Sequence, residues 1–311
     1  MAAPLTRSAR GTAPVPARRP GQRGAVLVFL GPFFLLFTAV LILPVAYALW
    51  MSFFTERSSG LGFGGTERVF SGFGNYAKAL GDQGFTSSFL HVAAYCAVYI
   101  PVMIGSALAL ALLVDSAAAR AKRLVQFAVF MPHAVPGLIA AIIWTYLYTP
   151  GLSPVLDWIE GAGGHWDFFA PGSVVPSLVN VAAWQWIGYN MIIFFAALQA
   201  VPREVIEAGI MDGAGELRIA LRIKLPMIRS AVFLTLLFTC VGVVQIFAEP
   251  MLLSKRAGSM GSDWSPMMFV FKAAFERHDY GLASAASLLV ALVAGTLSYV
   301  VTRIGKRGDS A

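Results

Sequence analysis

The side chains that most often carry enzyme chemistry are few in this sequence, and they are not arranged for it. The chain has 2 cysteines and 4 histidines, and they show neither an H-x-x-x-H nor a His/Cys metal-ligand spacing. A nucleotide-binding loop is also missing, because Val300 stands where a pattern ending in Gly305 and Lys306 needs glycine. We therefore predict no catalytic residue, no metal site and no cofactor. The chemistry left open is non-covalent binding, for example of a solute.

Polar and aromatic side chains within apolar stretches are the candidates for contacting that solute. Glu249 is the acidic residue nearest a span, where a carboxylate is a functional candidate, although it could also lie solvated at the outer interface. Asn190 and Gln245 could line a polar path or simply bond neighbouring helices. Trp184 and Tyr189 could stack on a pyranose ring or anchor the chain at the lipid interface. These five residues are the predicted substrate-pathway candidates.

The elements that must position these side chains are membrane-spanning helices. The sequence is 58% hydrophobic and 13% charged, which excludes an ordinary soluble protein. The stretches without Asp, Glu, Lys or Arg are 24–55, 83–114, 124–156, 168–202, 230–248 and 280–302. Most exceed the roughly 20 residues that cross a bilayer. We predict an all-α membrane protein with six transmembrane helices, at about 26–54, 87–114, 124–148, 173–200, 230–253 and 280–302.

The distribution of positive charge predicts the orientation of these spans. With the N-terminus inside, the cytoplasmic segments hold 16 of the 23 Lys and Arg. This bias places both termini in the cytoplasm and explains the net charge of +7 without a nucleic-acid partner. Residues 1–23 read as a disordered basic tail and residues 24–311 as the transmembrane domain. Cys96 and Cys240 fall inside spans and are interpreted as small core residues.

Residues 201–229, between spans four and five, form a predicted cytoplasmic segment longer than a turn requires. Pro202 suits the start of a helix, and Gly213 suits its end, so we predict a short helix over 202–212. Ala208 and Gly209 leave one side of it nearly bare, which would let another protein approach the backbone. A second short helix ends before Pro226. The helix–bend–helix is expected to lie across the membrane face.

This segment resembles the "EAA loop" of ABC-importer permeases. The matching residues are Glu207-Ala208-Gly209, Asp212-Gly213-Ala214 and Ile223-Lys224-Leu225-Pro226, at the spacing of the family. Gly209 replaces the second alanine of the pattern, and Ala220 stands where an aromatic residue is common. The resemblance implies that the segment couples the permease to an ATPase. The implied coupling residues are Glu207, Ala208, Gly209, Asp212, Gly213, Ala214, Ile223, Leu225 and Pro226.

Other stretches resemble the sugar-transporting branch of the same family, the maltose-type permeases. They are Trp184–Asn190 with Ala196–Pro202, Phe247–Ser254, and Asp279–Ala285, while Lys255–Gly258 replaces a usual Gly-Gly-Pro. The resemblance implies a bacterial inner-membrane subunit that moves a sugar, oligosaccharide or related polyol. It also implies a second permease, an ABC ATPase dimer and an extracytoplasmic solute-binding protein as partners, with ATP hydrolysed by the separate ATPase.

Three other functions remain open at this point. The chain could be an ABC permease for a non-sugar solute. It could be an ion-coupled secondary transporter, although such proteins use intramembrane ionisable groups and symmetry-related broken helices. It could also be a membrane scaffold or receptor, for which the long segment would be only a binding site.

Overall fold

The computed structural model of the protein describes residues 22–58, 66–116 and 121–309, and these residues are mostly helical. The chain divides into two compact units, Met1–Ala48 and Leu49–Ala311. In the first unit, α1 (Gln22–Phe37) continues through a π-helical turn, Thr38–Ile42, into the start of α2 (Leu43–Met51). The π-helical turn ends just before Pro44, which has no N–H with which to continue regular helical bonding.

The second unit contains the remaining helices and one antiparallel pair of strands. The strands are β1 (Phe54–Ser58) and β2 (Thr66–Phe70), with Phe54 opposite Phe70. The helices are α3 (Gly74–Gly81), α4 (Gln83–Asp115), α5 (Lys122–Phe130), α6 (Gly137–Leu147), α7 (Pro154–Gly161), α8 (Val174–Gln199), α9 (Arg203–Met211), α10 (Glu216–Ile219), α11 (Leu225–Met227), α12 (Arg229–Val244), α13 (Ala248–Ser254), α14 (Pro266–Phe271) and α15 (Tyr280–Asp309). A 3-10 turn covers Met131–Ala134, and π-helical turns cover Ala220–Lys224 and Lys272–Glu276.

The described residues contain 4 helices that are long and apolar enough to cross a membrane. They are Val28–Met51, Gln83–Asp115, Val174–Gln199 and Tyr280–Gly305, which correspond to predicted spans one, two, four and six. Two bent helix pairs raise the number to as many as 6 if each pair is one span. The prediction of a multi-span helical protein is confirmed at this level.

Predicted span three, 124–148, is broken rather than continuous. The segment Lys122–Ala134 meets Gly137–Leu147 at 96°. Val135 is extended, with φ −79° and ψ 126°, because a residue before proline avoids the helical region. Pro136 also lacks the N–H that would continue the helix. The predicted span is therefore present as two helical pieces that meet at Pro136, and the break between them was not predicted.

Predicted span five, 230–253, also differs from a single helix. Its first part, α12, ends at Val244, and α13 begins only at Ala248. An uninterrupted helix would press the ring of Pro250 against a backbone carbonyl four residues earlier. In the structure Pro250 instead lies in the first turn of α13, where no N–H is needed. At the other end, Glu216–Met227 meets Arg229–Val244 at 66°.

The centre of the second unit is the packing of α4 against α8. The buried residues of α4 recur every three or four positions, which makes one helix face: Val92, Tyr95, Tyr99, Met103, Ala107 and Ala111. Small residues allow close helix packing here, as they do between membrane helices: Ala107 and Ala111 of α4 are buried against α8, and Gly188 of α8 lies against the backbone of α5. This packing fixes α8, which carries most of the pathway candidates.

Candidate coupling segment and solute pathway

The predicted coupling helix is present as α9, Arg203–Met211. Pro202 precedes it in an extended conformation, and Glu204 lies in its first turn, where a negative charge is favoured. Gly213 has φ +75°, which most side chains adopt only with strain. Its N–H donates to the Ile210 carbonyl at 2.9 Å, and the Ala214 N–H donates to the Gly209 carbonyl at 3.0 Å. These two bonds form a Schellman motif, so Gly213 ends the helix as predicted.

The second part of the segment folds back onto α9. It runs from α10 through the π-helical turn into α11. Gly209 is buried, and a Cβ atom there would lie 2.7 Å from Cδ1 of Ile223. The bare side of Gly209 therefore faces this chain's own Ile223. In the isolated chain it is not open to another protein, contrary to the sequence interpretation.

The outer face of the segment is open. Glu207, Ala208, Asp212 and Gly213 are exposed, as is Pro226, while Ala214, Ile223 and Leu225 are partly buried. Large apolar side chains stand among the charged ones: Val205, Ile210, Met211, Leu217 and Leu221. Met211 is 86% exposed and Leu217 73%. Apolar side chains grouped in this way on a polar surface are typical of a protein-binding face.

Three of the five pathway candidates have ordinary structural roles or stand alone in the isolated chain. Asn190 is buried, and its Nδ2 donates to the carbonyl of Trp186 in its own helix at 2.9 Å. Trp184 is partly buried and makes an edge contact with Trp144, with ring centroids 5.7 Å apart. Gln245 is exposed at the end of α12, and its Nε2 lies 3.4 Å from the Val241 carbonyl. For Asn190 the helix-bonding interpretation therefore fits best.

Tyr189 belongs to an aromatic cluster at the break of span three. Its ring stacks on that of His133, with centroids 4.6 Å apart, and Trp186 contacts the same imidazole at 4.7 Å. Trp186 is 40% exposed and Tyr189 39%. At 1.5 Å per residue, both lie about 20 Å from the start of α8, near the middle of that helix, so anchoring at a helix end does not explain them. The Nδ1 atom of His133 is buried and has no hydrogen-bond partner among the described residues.

Glu249 lies beside the same break. A Cβ atom placed on Gly137, the first residue of α6, would lie 3.2 Å from Oε1 of Glu249 and 3.8 Å from Oε1 of Gln185. The helix N-terminus gives the carboxylate a favourable electrostatic environment. Gln185 donates from Nε2 to the Val135 carbonyl at 2.7 Å, and its buried Oε1 has no hydrogen-bond partner within residues 22–58, 66–116 and 121–309. Glu249 and Gln185 therefore place polar atoms at the end of a discontinuous helix.

His133 and Gln185 are not among the five predicted pathway candidates. Gln185 could be predicted only as one of several polar residues that either line a path or bond neighbouring helices, and no sequence pattern placed His133 beside it. Their significance comes from the 96° break, which sets the His133 ring against Tyr189 of α8 and the Val135 carbonyl against Gln185. The two prolines that flank His133 were the available signal.

Comparison with known proteins identifies the family of the chain. The sequence profile of the family "Binding-protein-dependent transport system inner membrane component" matches residues 101–309. The sn-glycerol-3-phosphate transport system permease protein of Pectobacterium atrosepticum is 29% identical over 284 residues, covering 90% of this chain and 93% of that protein. The diacetylchitobiose uptake system permease protein of Streptomyces coelicolor is 27% identical over 303 residues, covering 91% of this chain and 84% of that protein.

Solved structures share the fold. A chain of a bacterial ABC transporter involved in the import of the acidic polysaccharide alginate superimposes with a TM-score of 0.80 at 18% identity. The match covers 92% of this chain and 97% of that one. The family match spans more than half of the sequence, from the middle of α4 to α15. This chain therefore belongs to the inner membrane components of binding-protein-dependent transport systems.

Proposed function

We propose that the chain is one permease subunit of an ATP-driven ABC importer that moves a sugar, oligosaccharide or related polyol. The observation that carries the proposal is the segment α9–α11, a braced helix pair with exposed apolar and acidic side chains, in a member of the binding-protein-dependent transport family. The relatives named for diacetylchitobiose and sn-glycerol-3-phosphate support the solute class. The subunit itself catalyses no covalent chemistry.

The proposed topology has six spans, with the first bent pair counted as span three, residues 230–253 as span five, and both termini in the cytoplasm. The excess of Lys and Arg on one side supports it. In this orientation α9–α11 lie at the cytoplasmic surface. The loop that contains α7 lies outside, together with residues 254–279.

The partners follow from the two exposed surfaces. On the cytoplasmic side, one ATPase of a dimer receives the outer face of α9 and α10, and Glu207 and Asp212 give that contact a negative charge. On the outer side, the exposed Trp158 and Trp166 lie in a loop, 149–172, that has acidic residues and no Lys or Arg. This loop suits a solute-binding protein with a basic rim. A second permease completes the central cavity.

The solute path is proposed to pass the break of span three. There Trp186 and Tyr189 offer aromatic faces on which a sugar ring can stack. His133 and Gln185 offer polar atoms that have no hydrogen-bond partner in the described part of the chain, and Glu249 can accept hydrogen bonds from hydroxyl groups. ATP-driven closure of the ATPases would draw the coupling segments together and turn the cavity from inward to outward facing.

Uptake by cells that lack and then regain this chain tests the proposal. A panel of radiolabelled mono- and oligosaccharides and polyol phosphates should enter only the restored cells, and uptake should survive a protonophore while ATP is maintained. Entry of a different solute class would replace the sugar assignment. Uptake that collapses with the ion gradient at constant ATP would favour a secondary transporter.

A further inference from the structure

Three elements meet at Asp115, the last residue of α4. Lys224 donates from Nζ to Oδ2 of Asp115 at 2.5 Å, and Gln199, the last residue of α8, donates from Nε2 to Oδ1 at 2.7 Å. The side chains of Asp115 and Lys224 are only 11% and 17% exposed. Both carboxylate oxygens are thus engaged, one by the coupling segment and one by a membrane helix.

A pair with this little exposure differs from an ordinary surface ion pair. Exposed pairs contribute little because water screens them, whereas removal of one partner from a shielded pair leaves an uncompensated charge. Charge-assisted hydrogen bonds are also short and directional, so they fix the position of Lys224 relative to α4. The contact therefore holds Lys224 at a defined position relative to the end of α4.

The Asp115–Lys224 contact is connected directly to the coupling helix α9. Ile223, the neighbour of Lys224, packs on Gly209 of α9. A displacement of α9 is passed through Ile223 to the π-helical turn that carries Lys224, and from Lys224 to the end of α4. Since Gln199 binds the other oxygen of Asp115, the end of α8 is held by the same carboxylate.

We propose that Asp115 is a positioning residue of the transport cycle, which couples movement of the segment α9–α11 to the cytoplasmic ends of α4 and α8. The inference rests on the proposed function, because it assigns a mechanical link to a segment that meets the ATPase. It adds a connection to α4, the longest helix of the protein, whose buried face packs along α8.

The test uses the assembled, reconstituted transporter and measures solute transported per ATP hydrolysed. Asp115→Ala and Lys224→Met should assemble and hydrolyse ATP, while the transport-to-hydrolysis ratio falls on the order of tenfold, a typical coupling strength. The double variant Asp115→Lys with Lys224→Asp should recover most of the ratio, because the ion pair is restored with reversed polarity. The matched control is Lys78→Met, which removes another 2.5 Å ion pair, that of Lys78 with Asp279. It should keep the wild-type ratio.

A purely structural bond gives different results. If transport and hydrolysis fall in proportion, or if the reversed pair works no better than either single variant, the proposal is overturned. If Asp115→Ala fails to assemble, Asp115→Asn is tested in its place, because asparagine keeps the size and hydrogen-bonding capacity of the side chain. Failure of Asp115→Asn to assemble also overturns the proposal. A wild-type complex that moves no solute would instead count against the proposed function.

Discussion

At the scale of single residues, Gly188 is the position where the packing leaves the least room. A Cβ atom there would lie 1.9 Å from the Val129 carbonyl oxygen and 2.9 Å from Cα of Phe130. Both are backbone atoms, so the clash cannot be relieved by turning a side chain. Gly188→Ala must push α5 away from α8 and with it the break of span three.

We expect Gly188→Ala to destabilise the protein by about 1–3 kcal/mol, the usual cost of overpacking. The measurement is thermal unfolding of the detergent-purified subunit, followed by tryptophan fluorescence. Gly105→Ala, in the interior of α4, is the control because a Cβ atom there meets nothing within 4 Å. Equal melting temperatures for the two variants would show that α5 and α8 are not held this closely.

The aromatic cluster gives the second prediction at this scale. Tyr189→Ala removes a ring that stacks on His133 and should weaken apparent transport affinity for the solute by roughly 5- to 150-fold, the equivalent of 1–3 kcal/mol. Tyr189→Phe keeps the ring and should lose much less. Uptake kinetics at several solute concentrations make the comparison. Wild-type kinetics in Tyr189→Ala would assign the cluster to packing or to the interface with the second permease.

At the scale of elements, the end of α9 depends on backbone conformation at one glycine. Gly213 has φ +75° and open space around its Cβ position, so a substitution there acts through the backbone rather than through a clash within this chain. Gly213→Val should strain the turn, since a β-branched residue disfavours positive φ, and transport and solute-stimulated ATP hydrolysis should fall together. Gly213→Asn should retain far more of both activities, because asparagine tolerates this conformation.

The matched control is Gly215→Ala. Gly215 lies two residues further on, with φ −70° and nothing within 4 Å of its Cβ position. Assays of reconstituted complexes should therefore rank Gly213→Asn and Gly215→Ala near wild type and Gly213→Val well below. Full activity in Gly213→Val would show that the Schellman turn does not shape the ATPase contact.

The helices and strands also show how much of the fold could be predicted from the sequence. Long charge-free stretches and the spaced motif were sufficient to predict the long helices, the end of α9 at Gly213 and the family, whereas the expectation of an all-α protein missed the strand pair β1–β2 and the short helices α3, α7 and α14. The breaks in spans three and five were missed, because proline alone does not say whether a membrane helix kinks or separates into two. The packing of Ile223 on Gly209 and the contact of His133 with Tyr189 join residues distant in sequence. Periodicity within one helix carries no information about such contacts.

At the scale of the whole molecule, the proposed orientation in the membrane can be tested by cysteine labelling. In a background without Cys96 and Cys240, His165→Cys should react with an impermeant maleimide added outside intact cells, and Ala208→Cys should react only after permeabilisation. Both positions are exposed in the structure, whereas Ser153 of the same outer loop is buried and unsuitable. Reaction of Ala208→Cys in intact cells would invert the proposed topology.

The central claim is that this chain turns ATP hydrolysis by a partner into solute movement. The most direct measurement purifies the tagged chain with its associated proteins, reconstitutes them in liposomes, and records ATP hydrolysis with and without the loaded solute-binding protein. The account predicts that an ATPase co-purifies, that the loaded binding protein stimulates its hydrolysis, and that solute crosses the membrane at the same time. Absence of a co-purifying ATPase, or hydrolysis that ignores the loaded binding protein, would contradict it.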